Sequence, residues 1–457
     1  MRKNSAPRLS NWQIEARFTP GVEIPVLADV DVVVVGAGPA GVAAATTAGE
    51  AGLSVLLVEK YGFAGGAAVA GLSGTICGLY LATDTGTVPE QIVYGFTERF
   101  RQMLLSRKGL TPPQIYGKTW TSAHDPLKWS ETADDLLRAA NVRIMYHAAV
   151  AGVIIEDDNY RGVVVESNAG RTVINTKRII DASGDGAVLA RGGHPYRFGD
   201  TGRIQNPTMF FRLGGIKSAE FWDYYGSDTI CPNKVTEKIN SAREAGANLP
   251  RNKIWVFRTL QDGQVLVNAT RLIGSDGRML NVIDPEDFTE AEILGREQVR
   301  EYARFFQENI PGCEDIYVLN TGVEAGVRQT RTIVGAETLT NDDVVSARKR
   351  TDGICRVPWP IELHDGERPK LHWLIDDYYE VPYLALVPQR AENIIMAGRC
   401  LSAEHQALAS ARVTAQCFEY GHAAGVATIL SLQHDTKYRD IAGEDVREQM
   451  KNNGSFL

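Results

Sequence analysis

Residues 36–41 read Gly-Ala-Gly-Pro-Ala-Gly and follow a run of four valines. In such a pattern Gly36 allows a sharp turn from strand to helix, and Gly38 lets backbone amides approach a pyrophosphate with no Cβ in the way. Gly41 lets the helix pack closely on the strand. Glu59 ends the next apolar run, where its carboxylate can accept hydrogen bonds from the hydroxyls of an adenosine ribose. These residues predict a bound dinucleotide, without distinguishing FAD from NAD. The alternative is a glycine turn of purely structural use.

Two further glycine-rich segments could approach a ligand. The first contains Gly65 and Gly66, and its backbone can either meet a flat or charged group or form a packing loop of small residues. The second, residues 178–186, reads Arg-Ile-Ile-Asp-Ala-Ser-Gly-Asp-Gly. It predicts a buried strand that runs into a glycine turn, which suits a second close approach to the dinucleotide.

The composition is that of a globular protein with two or three domains. The chain has 457 residues, 44% of them hydrophobic and 23% charged, and a formal net charge of -8. It has no basic run of the kind that binds a nucleic acid, so no such partner is expected. No stretch reaches the ~18 apolar residues of a membrane-spanning helix, and the N-terminus lacks the apolar core of a signal peptide. The expected protein is cytoplasmic and does not insert into membranes.

The cysteines and histidines predict no metal site. The six cysteines are widely spaced and include no CxxC pair, so a dithiol redox centre and a cysteine-bound iron–sulfur cluster are disfavoured. His364 and His372 lie too far apart in the sequence for ligation of a metal from one helix.

The hydrophobic periodicity predicts an α/β fold, with a Rossmann-like dinucleotide-binding domain that carries a β-meander and an inserted α+β substrate domain with an antiparallel sheet. Helices are expected at residues 89–108, 126–140 and 286–309, and a long helix rich in Ala and Gly is expected after Gly398. The predicted units are an N-terminal arm (1–28), a discontinuous dinucleotide-binding domain (29–194 and 386–435), a substrate or cap domain (195–385) and a polar, peripheral C-terminal tail (436–457).

Three separated segments match one pattern, namely GAGPAG with Glu59, then DASGDG, then AGRC followed by a helix that ends GHAAGVA. In these segments the chain resembles the two-domain FAD-dependent oxidoreductases of the glutathione-reductase-like superfamily. Through GGAAVAG, EAGVRQTRTIVGAETLT, PYLALVPQ and AGRCLSAEHQALASAR it is more narrowly similar to bacterial FAD-dependent oxidoreductases related to the flavoprotein subunit of heterodisulfide reductase. The resemblance spans residues 30–430 and implies an FAD held in extended form across the sheet.

The resemblance also implies where the FAD would lie. The adenine would be flanked by Val150, the ribityl chain would pass Gly398 and Arg399, and residues from His405 to Leu408 would open the C-terminal helix beside the flavin ring. The complete set of expected cofactor-binding residues is Gly36, Gly38, Pro39, Ala40, Gly41, Glu59, Lys60, Gly65, Gly66, Val150, Ala182, Gly184, Asp185, Gly398, Arg399, His405 and Leu408.

The chain departs from its relatives in several places. Arg399 stands where many members of the superfamily carry an Asp that binds the ribityl hydroxyls, so that contact must differ. The residues after Asp185 do not follow the pattern of flavin hydroxylases, which weakens a monooxygenase interpretation. No second GxGxxG motif opens another βαβ unit, so the electron acceptor is expected to be external, either oxygen, a quinone or a protein.

Four residues are candidates for catalysis. His405 is the first candidate for a general base, because the resemblance puts it at the flavin end of a helix, although it could equally cap that helix. Arg328 and Arg331 could present two guanidinium groups from one helical face to a carboxylate substrate or to the flavin, or could form ion pairs with Glu324 or Glu337. Arg412 is expected on the same helical face as His405 and could join either role. His364 and His372 are weaker candidates.

The hypothesis is an FAD-dependent dehydrogenase or oxidase that takes a hydride from a small organic metabolite to flavin N5. One alternative is a flavin-bearing electron-transfer subunit of a multi-protein complex. Another is a non-redox dinucleotide-binding protein of the thiazole-synthase kind. A homo-oligomer is compatible with the sequence.

Overall fold

The computed structural model describes residues 23–85, 88–364 and 370–457. Its strands are β1 (Val26–Val35), β2 (Val55–Val58), β3 (Thr75–Ile76), β4 (Gln114–Tyr116), β5 (Thr119–Ala123), β6 (Arg143–Met145), β7 (Ala149–Glu156), β8 (Asn159–Ser167), β9 (Gly170–Asp181), β10 (Tyr196–Phe198), β11 (Phe211–Gly214), β12 (Trp255–Arg258), β13 (Gln264–Asn268), β14 (Tyr317–Thr321), β15 (Arg331–Ile333), β16 (Gly353–Val357), β17 (Ile361–Leu363), β18 (Lys370–His372), β19 (Tyr379–Pro382) and β20 (Ile394–Met396). Its helices are α1 (Pro39–Glu50), α2 (Phe96–Ser106), α3 (Pro126–Ala139), α4 (Ala187–Arg191), α5 (Ser218–Tyr225), α6 (Asn233–Glu244), α7 (Pro285–Asn309), α8 (Asn341–Val345), α9 (His405–Ala411), α10 (Thr414–Gln433) and α11 (Gly443–Asn452).

The central sheet has the strand order β6-β2-β1-β9-β8-β7, with β20 also paired to β9. The pairs among β6, β2, β1, β9 and β20 are parallel, while β7, β8 and the first part of β9 form the antiparallel meander. Residues 32–35 of β1 and all of β2 are buried, as expected for strands covered on both faces. The predicted α/β class, with a Rossmann-like sheet, a meander and an additional antiparallel sheet, is confirmed.

Three parallel strands end level with one another. Val35 of β1 pairs with Asp181 of β9, and Met396 of β20 pairs with the same Asp181. The turns that follow these strands therefore meet at one edge of the sheet, where ligands of such folds bind.

Helices α1 and α10 pack against each other at very short range beside this edge of the sheet. A Cβ on Gly421 of α10 would lie 2.0 Å from the carbonyl oxygen of Ala40, and a Cβ on Gly425 would lie 2.8 Å from Cβ of Thr47. Only glycine fits at these two positions of α10, which explains the small residues in the C-terminal segment. The long C-terminal helix is consequently packed along α1, from Ala40 to Thr47.

The second sheet has the order β12-β13-β11-β14, and helices α5, α6 and α7 pack with it around a separate hydrophobic core. The predicted helix at residues 286–309 is confirmed as α7, which begins after Asp284, whose side chain accepts a hydrogen bond from the amide of Glu286. Helix α3 is also confirmed, with Asp125 as its cap. By contrast, β16, β17 and β19 contribute to the same core as α1 and α10. The domain boundaries stay a prediction.

Three predictions about the outer parts of the chain need correction or lie outside the structure. Residues 1–22 of the expected arm are outside the described residues, and residues 26–28 already belong to β1, because Val26 pairs with Val173. The helix expected from residue 89 begins only at Phe96, after Gly95, whose φ is +65°. The C-terminal segment is not peripheral, because Val446 and Met450 of α11 are completely buried.

The described residues contain no group of three or more potential metal ligands, and all six cysteines are free thiols. Within the same parts of the chain, no helix is both long and apolar enough to cross a membrane.

We expect His124→Phe to make the folded protein less sensitive to acid. His124 packs against Trp129 with ring centroids 4.4 Å apart, and burial lowers its pKa from 6.5 to about 4. The unfolded chain therefore takes up this proton first, so the stability due to the neutral ring is complete above pH 6.5 and is lost as the pH falls towards 4. The contribution of His124 to the free energy of unfolding therefore falls by ~2 kcal/mol between pH 7 and pH 5.

Urea unfolding at the two pH values measures the effect. The free energy of unfolding of His124→Phe should fall by ~2 kcal/mol less than that of the wild type. His434→Phe, at an exposed position, is the matched control and should behave like the wild type. Equal losses in the wild type and in His124→Phe would contradict the assignment.

Candidate active site

A cavity of about 540 Å³ lies at the edge of the central sheet where β1, β9 and β20 end. Its walls are the turns after these strands, the N-terminus of α10, residues of the second sheet and the irregular segment before β15. The cavity therefore extends from the predicted dinucleotide motif to the antiparallel part of the fold.

The three glycines in the turn after β1 have different structural roles. Gly36 has a φ of +97°, and a Cβ there would lie 2.5 Å from the carbonyl oxygen of Ala182. A Cβ on Gly41 would lie 1.8 Å from the carbonyl oxygen of Gly36, so this residue serves the packing of α1. Gly38 lines the cavity, and its Cβ would come no closer than 3.8 Å to any other part of the chain, the nearest atom being Cα of Gly66. The space in front of Gly38 is open to a ligand.

Glu59 connects this turn to the end of β2. Its Oε2 accepts a hydrogen bond from the amide of Ala37 at 2.7 Å, and its Oε1 accepts one from the amide of Tyr61 at 3.0 Å. Burial raises the pKa of Glu59. The adjacent Lys60 forms an ion pair with Glu324 at 3.1 Å. Both Glu59 and Lys60 line the cavity.

Arg399 joins the turns after β9 and β20. Its Nε donates to the carbonyl oxygen of Gly184 at 3.0 Å, its Nη2 to Asp185 at 2.8 Å, and its Nη1 to the carbonyl oxygen of Val327 at 2.8 Å. Burial opposes ionisation of Asp185, but the charge of Arg399 outweighs it and lowers the pKa of this carboxyl. The charge of Arg399 is thus balanced by the chain, and the residue fixes the positions of the two turns.

The helix that meets the cavity begins at Thr414, so the expectation of one long helix that opens at His405 is wrong. His405 and Leu408 do not line the cavity, and their contact with the flavin stays a prediction. Helix α9 ends at Ala411, and the chain then turns before α10, so that Val413 and Thr414 line the cavity. His405 starts α9 outside the cavity, where its ring lies close to Gly199. The N-terminal end of α10, with its partial positive charge, rather than that of α9 therefore lies at the cavity.

The expected helical face of Arg328 and Arg331 is also wrong, because residues 322–330 are irregular and Arg331 starts β15. Both arginines nevertheless line the cavity. Arg331 lies near the turn after β9, with Nη1 3.4 Å from the carbonyl oxygen of Asp185. Arg328 lies elsewhere, with Nη1 donating to the carbonyl oxygen of Asn206 at 2.9 Å.

A buried polar cluster lies in the part of the cavity away from the glycine turn. Glu362, at the centre of β17, accepts a hydrogen bond at Oε1 from the Tyr116 hydroxyl at 2.6 Å. The same oxygen lies 3.3 Å from Nε2 of His364. Nδ1 of His364 faces Nη2 of Arg251 at 3.1 Å. Arg251 is a donor only, so Nδ1 accepts and Nε2 carries the proton that faces Glu362.

Arg412 completes the cluster. Its Nη2 donates to Oε1 of Gln205 at 3.0 Å, next to the carbonyl of Asn206 that holds Arg328. Arg328 and Arg412 are therefore anchored to two consecutive residues of one buried segment. Four members of the cluster line the cavity, namely Arg328, Glu362, His364 and Arg412. Arg251 does not line it but contacts Nδ1 of His364.

The charges in this cluster shift its pKa values strongly. Burial, followed by the charge of Arg328, lowers the pKa of His364 well below its usual value, so the ring is neutral. Burial alone would raise the pKa of Glu362, but the contact with His364, the hydrogen bond from Tyr116 and the charge of Arg412 outweigh burial and lower it. Burial lowers the pKa of Arg251 and of Arg412 to about 10, which leaves both charged at neutral pH.

Most of the expected site residues share this cavity. Those that line it are Gly36, Gly38, Pro39, Ala40, Glu59, Lys60, Gly66, Ala182, Gly184, Asp185, Arg328, Arg331, Gly398, Arg399 and Arg412. Those that do not are Gly41, Gly65, Val150, His405 and Leu408. Gly65 supports the turn after β1 instead, since its amide donates to the carbonyl of Ala37 at 2.8 Å, and Val150 lies within β7.

The candidates predicted from the sequence do not include Tyr116, Arg251 or Glu362. They include His364 only as a weaker candidate for catalysis. One signal was available, because Glu362 interrupts the apolar run Trp-Pro-Ile-Glu-Leu. A charged residue inside such a run is expensive to bury unless it has partners.

A family model described as FAD dependent oxidoreductase matches residues 31–450. The chain belongs to this family. It is therefore an FAD-dependent oxidoreductase, as the sequence predicted.

Individual relatives of this FAD-dependent oxidoreductase are distant. The urocanate reductase of Eggerthella lenta is 50% identical over 62 residues, which are 14% of this chain and only 10% of that protein. Among solved structures, p-nitrophenol 4-monooxygenase from Pseudomonas putida DLL-E4 is 13% identical with a TM-score of 0.50, over 93% of this chain and 86% of that one. A geranylgeranyl bacteriochlorophyll reductase-like protein from Thermoplasma acidophilum is 14% identical with a TM-score of 0.49, over 93% and 84% of the two chains. At such identity the likeness to the monooxygenase shows the fold alone.

The residues around the cavity fit an FAD. The open space before Gly38 and the amides at the start of α1 suit a pyrophosphate, and Glu59 stands at the ribose position of the motif. Gly398 follows β20, and the N-terminus of α10 adds partial positive charge on the same side of the cavity.

We expect Gly38→Ala to weaken FAD binding without destabilising the fold. The new methyl group meets no part of the chain closely, and the φ of Gly38 is -69°, so the backbone is unstrained. It would nevertheless occupy the space that the motif leaves for the pyrophosphate, and we expect at least a tenfold loss of affinity, or ~1.4 kcal/mol.

FAD titration of the cofactor-free protein and thermal unfolding measure the two effects separately. Gly152→Ala, at another glycine whose Cβ would come no closer than 3.5 Å to its neighbours, is the matched control and should keep full affinity. Unchanged FAD affinity in Gly38→Ala would show that the pyrophosphate lies elsewhere.

Proposed function

We propose that the protein oxidises a small organic metabolite by transferring a hydride from a substrate C–H bond to N5 of FAD. The observation that carries this proposal is the continuity of one cavity from the FAD motif to the cluster of Tyr116, Glu362, His364, Arg328 and Arg412. An enclosed cluster of this kind, with perturbed pKa values, is typical of a place where a substrate reacts.

The flavin supplies the two-electron step when it is bound. Oxidation of a C–OH or C–NH group also releases the proton of that group, and the chain must take it up. Glu362 is the candidate acceptor, because its pKa keeps it ionised. Tyr116 and His364 both face its Oε1, and no described residue donates to its Oε2. Oε2 of Glu362 is thus the oxygen that can receive the proton.

His364 has a supporting role in this proposal. Its Nε2 proton faces Glu362 and its Nδ1 accepts from Arg251, so neither nitrogen is available to a substrate. The residue orients the carboxylate and keeps its charge. This assigns to Glu362 the role that the sequence suggested for His405.

The described site favours an enzyme over an electron-transfer subunit, since a subunit that only relays electrons needs no enclosed polar cluster beside the flavin. We further propose that electrons leave to an external acceptor, namely oxygen, a quinone or a protein, and that the protein works in the cytoplasm. Self-association into a homo-oligomer is proposed from the sequence alone.

The purified protein should show flavin absorption bands and should release FAD on denaturation. Under anaerobic conditions a panel of alcohols, amines, hydroxy acids and amino acids is then screened for loss of the flavin absorption. A compound that bleaches the flavin stoichiometrically supports the proposal. Bleaching that requires a co-purified partner protein, with every small molecule inactive, would instead support the electron-transfer subunit.

We expect Glu362→Gln to slow flavin reduction by about 10²- to 10⁴-fold, the usual contribution of a general base. The amide keeps the shape of the side chain but cannot accept the proton as an anion, so FAD content should not change. Stopped-flow bleaching with the compound found in the screen measures the rate. Glu98→Gln, at an ion-paired carboxylate outside the cavity, is the control, and a Glu362→Gln rate within threefold of the wild type would refute the assignment.

A further inference from the structure

The buried cluster at the cavity contains more positive charge than its described residues balance. Guanidinium groups stay protonated in proteins, so Arg251, Arg328 and Arg412 bring three positive charges together, whereas Glu362 is the carboxylate that faces them. Lys60 and Arg399, by contrast, are paired with Glu324 and Asp185. Among the described residues, the cluster thus has three guanidinium groups and one carboxylate.

Buried charges without partners are strongly unfavourable. Burial together with the charges of Arg251 and Arg412 lowers the pKa of Arg328 well below its usual value, which reflects their mutual repulsion. An arrangement of this kind is stable when a further anion shares the space. The two arginines that line the cavity, Arg328 and Arg412, are the ones that a bound molecule can reach.

Both arginines are held in place but keep donors to spare. One Nη group of each is anchored, to the carbonyl of Asn206 and to the side chain of Gln205. Nε of Arg412 is buried and has no hydrogen-bond partner within the described parts of the chain. Nε2 of Gln205, beside it, also lacks a partner among those residues. An anion with two oxygens on one centre matches such donors, because a guanidinium group binds it through two parallel hydrogen bonds.

The neighbouring wall of the cavity is aromatic. The ring centroid of Tyr116 lies 5.0 Å from that of Trp359 and 6.3 Å from that of Phe257, and all three residues line the cavity. The anionic group is therefore recognised beside an apolar surface, which suits an organic molecule with a hydrocarbon or ring portion.

We infer that Arg328 and Arg412 bind a carboxylate group of the substrate, so that the oxidation acts on an organic acid. The inference rests on the proposed function, because it names the class of molecule that the same cavity oxidises. It also gives Glu362 a second property. An anion next to Arg412 offsets one of the charges that lower the pKa of Glu362, so the carboxylate becomes a stronger base when the substrate is present.

The test is calorimetric titration of the FAD-loaded protein with benzoate and succinate, and with benzamide and succinamide as neutral analogues of the same shape. At least one carboxylate should bind at least tenfold more tightly than its amide. Arg328→Gln and Arg412→Gln should each weaken that binding by about 10- to 100-fold, the effect of losing a charge-assisted hydrogen bond. Arg178→Gln, which removes a partly buried arginine bonded to Ser431 outside the cavity, is the matched control and should bind normally.

FAD content and thermal unfolding are compared before the titrations. If a glutamine variant does not fold, Arg328→Lys and Arg412→Lys replace it, since lysine keeps the charge but loses the paired hydrogen bonds and should weaken binding by about tenfold. Equal binding of amides and carboxylates, or no binding of either carboxylate, would overturn the inference. So would binding of inorganic phosphate alone, or an Arg412→Gln variant that changes the flavin spectrum but not the affinity for carboxylates.

The titration also separates this inference from the proposed function, because it measures binding without turnover. Carboxylate binding in a protein whose flavin no acid reduces would leave the anion site standing and reject the oxidation. Reduction of the flavin by a neutral alcohol or amine, without carboxylate binding, would support the oxidation and reject the anion site.

Discussion

The site depends on the parallel pairing of β1, β9 and β20. Because Val35, Asp181 and Met396 end in one register, the glycine turn, the Asp185 turn and the Gly398 turn meet at one edge of the sheet. Arg399 then bonds to the second turn and to the segment before β15, which brings Arg328 to the cavity. A shift of one strand by a single residue would separate these groups and turn its side chains to the opposite face.

The two ends of the cavity differ in their electrostatics, and this difference divides their roles. At the cofactor end, charged side chains such as Lys60 and Arg399 have partners within the chain, so the ligand there is met mainly by backbone amides and helix ends. At the other end, guanidinium groups exceed carboxylates among the described residues, and Glu362 stays ionised in a buried position. The first arrangement suits a cofactor that stays bound, and the second suits the exchange of the proposed anionic substrate.

Local patterns predicted the parts of the structure that depend on neighbouring residues. The turn at Gly36, the cap at Asp125 and the meander could be predicted because a few adjacent residues determine them. The break between α9 and α10 could not, because Arg412 and Val413 include neither Gly nor Pro and the alanine-rich pattern continues across them. The cluster around Glu362 could not be predicted either, since Tyr116 and Glu362 are 246 residues apart and only the packing of separate sheets brings them together. Arg328 was found for its chemistry, although the helix expected to carry it does not exist.

The packing of α10 on α1 has a consequence for biosynthesis. The motif at Gly36 leaves the ribosome before the helix that closes the cofactor cleft, which begins only at Thr414. At a translation rate of about 5–20 residues per second, the nascent chain carries an incomplete cleft for roughly 20 to 75 s. During that interval the small-residue surface of α1, including Ala40 and Thr47, lacks its native cover. The cofactor cleft is therefore complete only after the segment Thr414–Gln433 has been synthesised and has packed on α1.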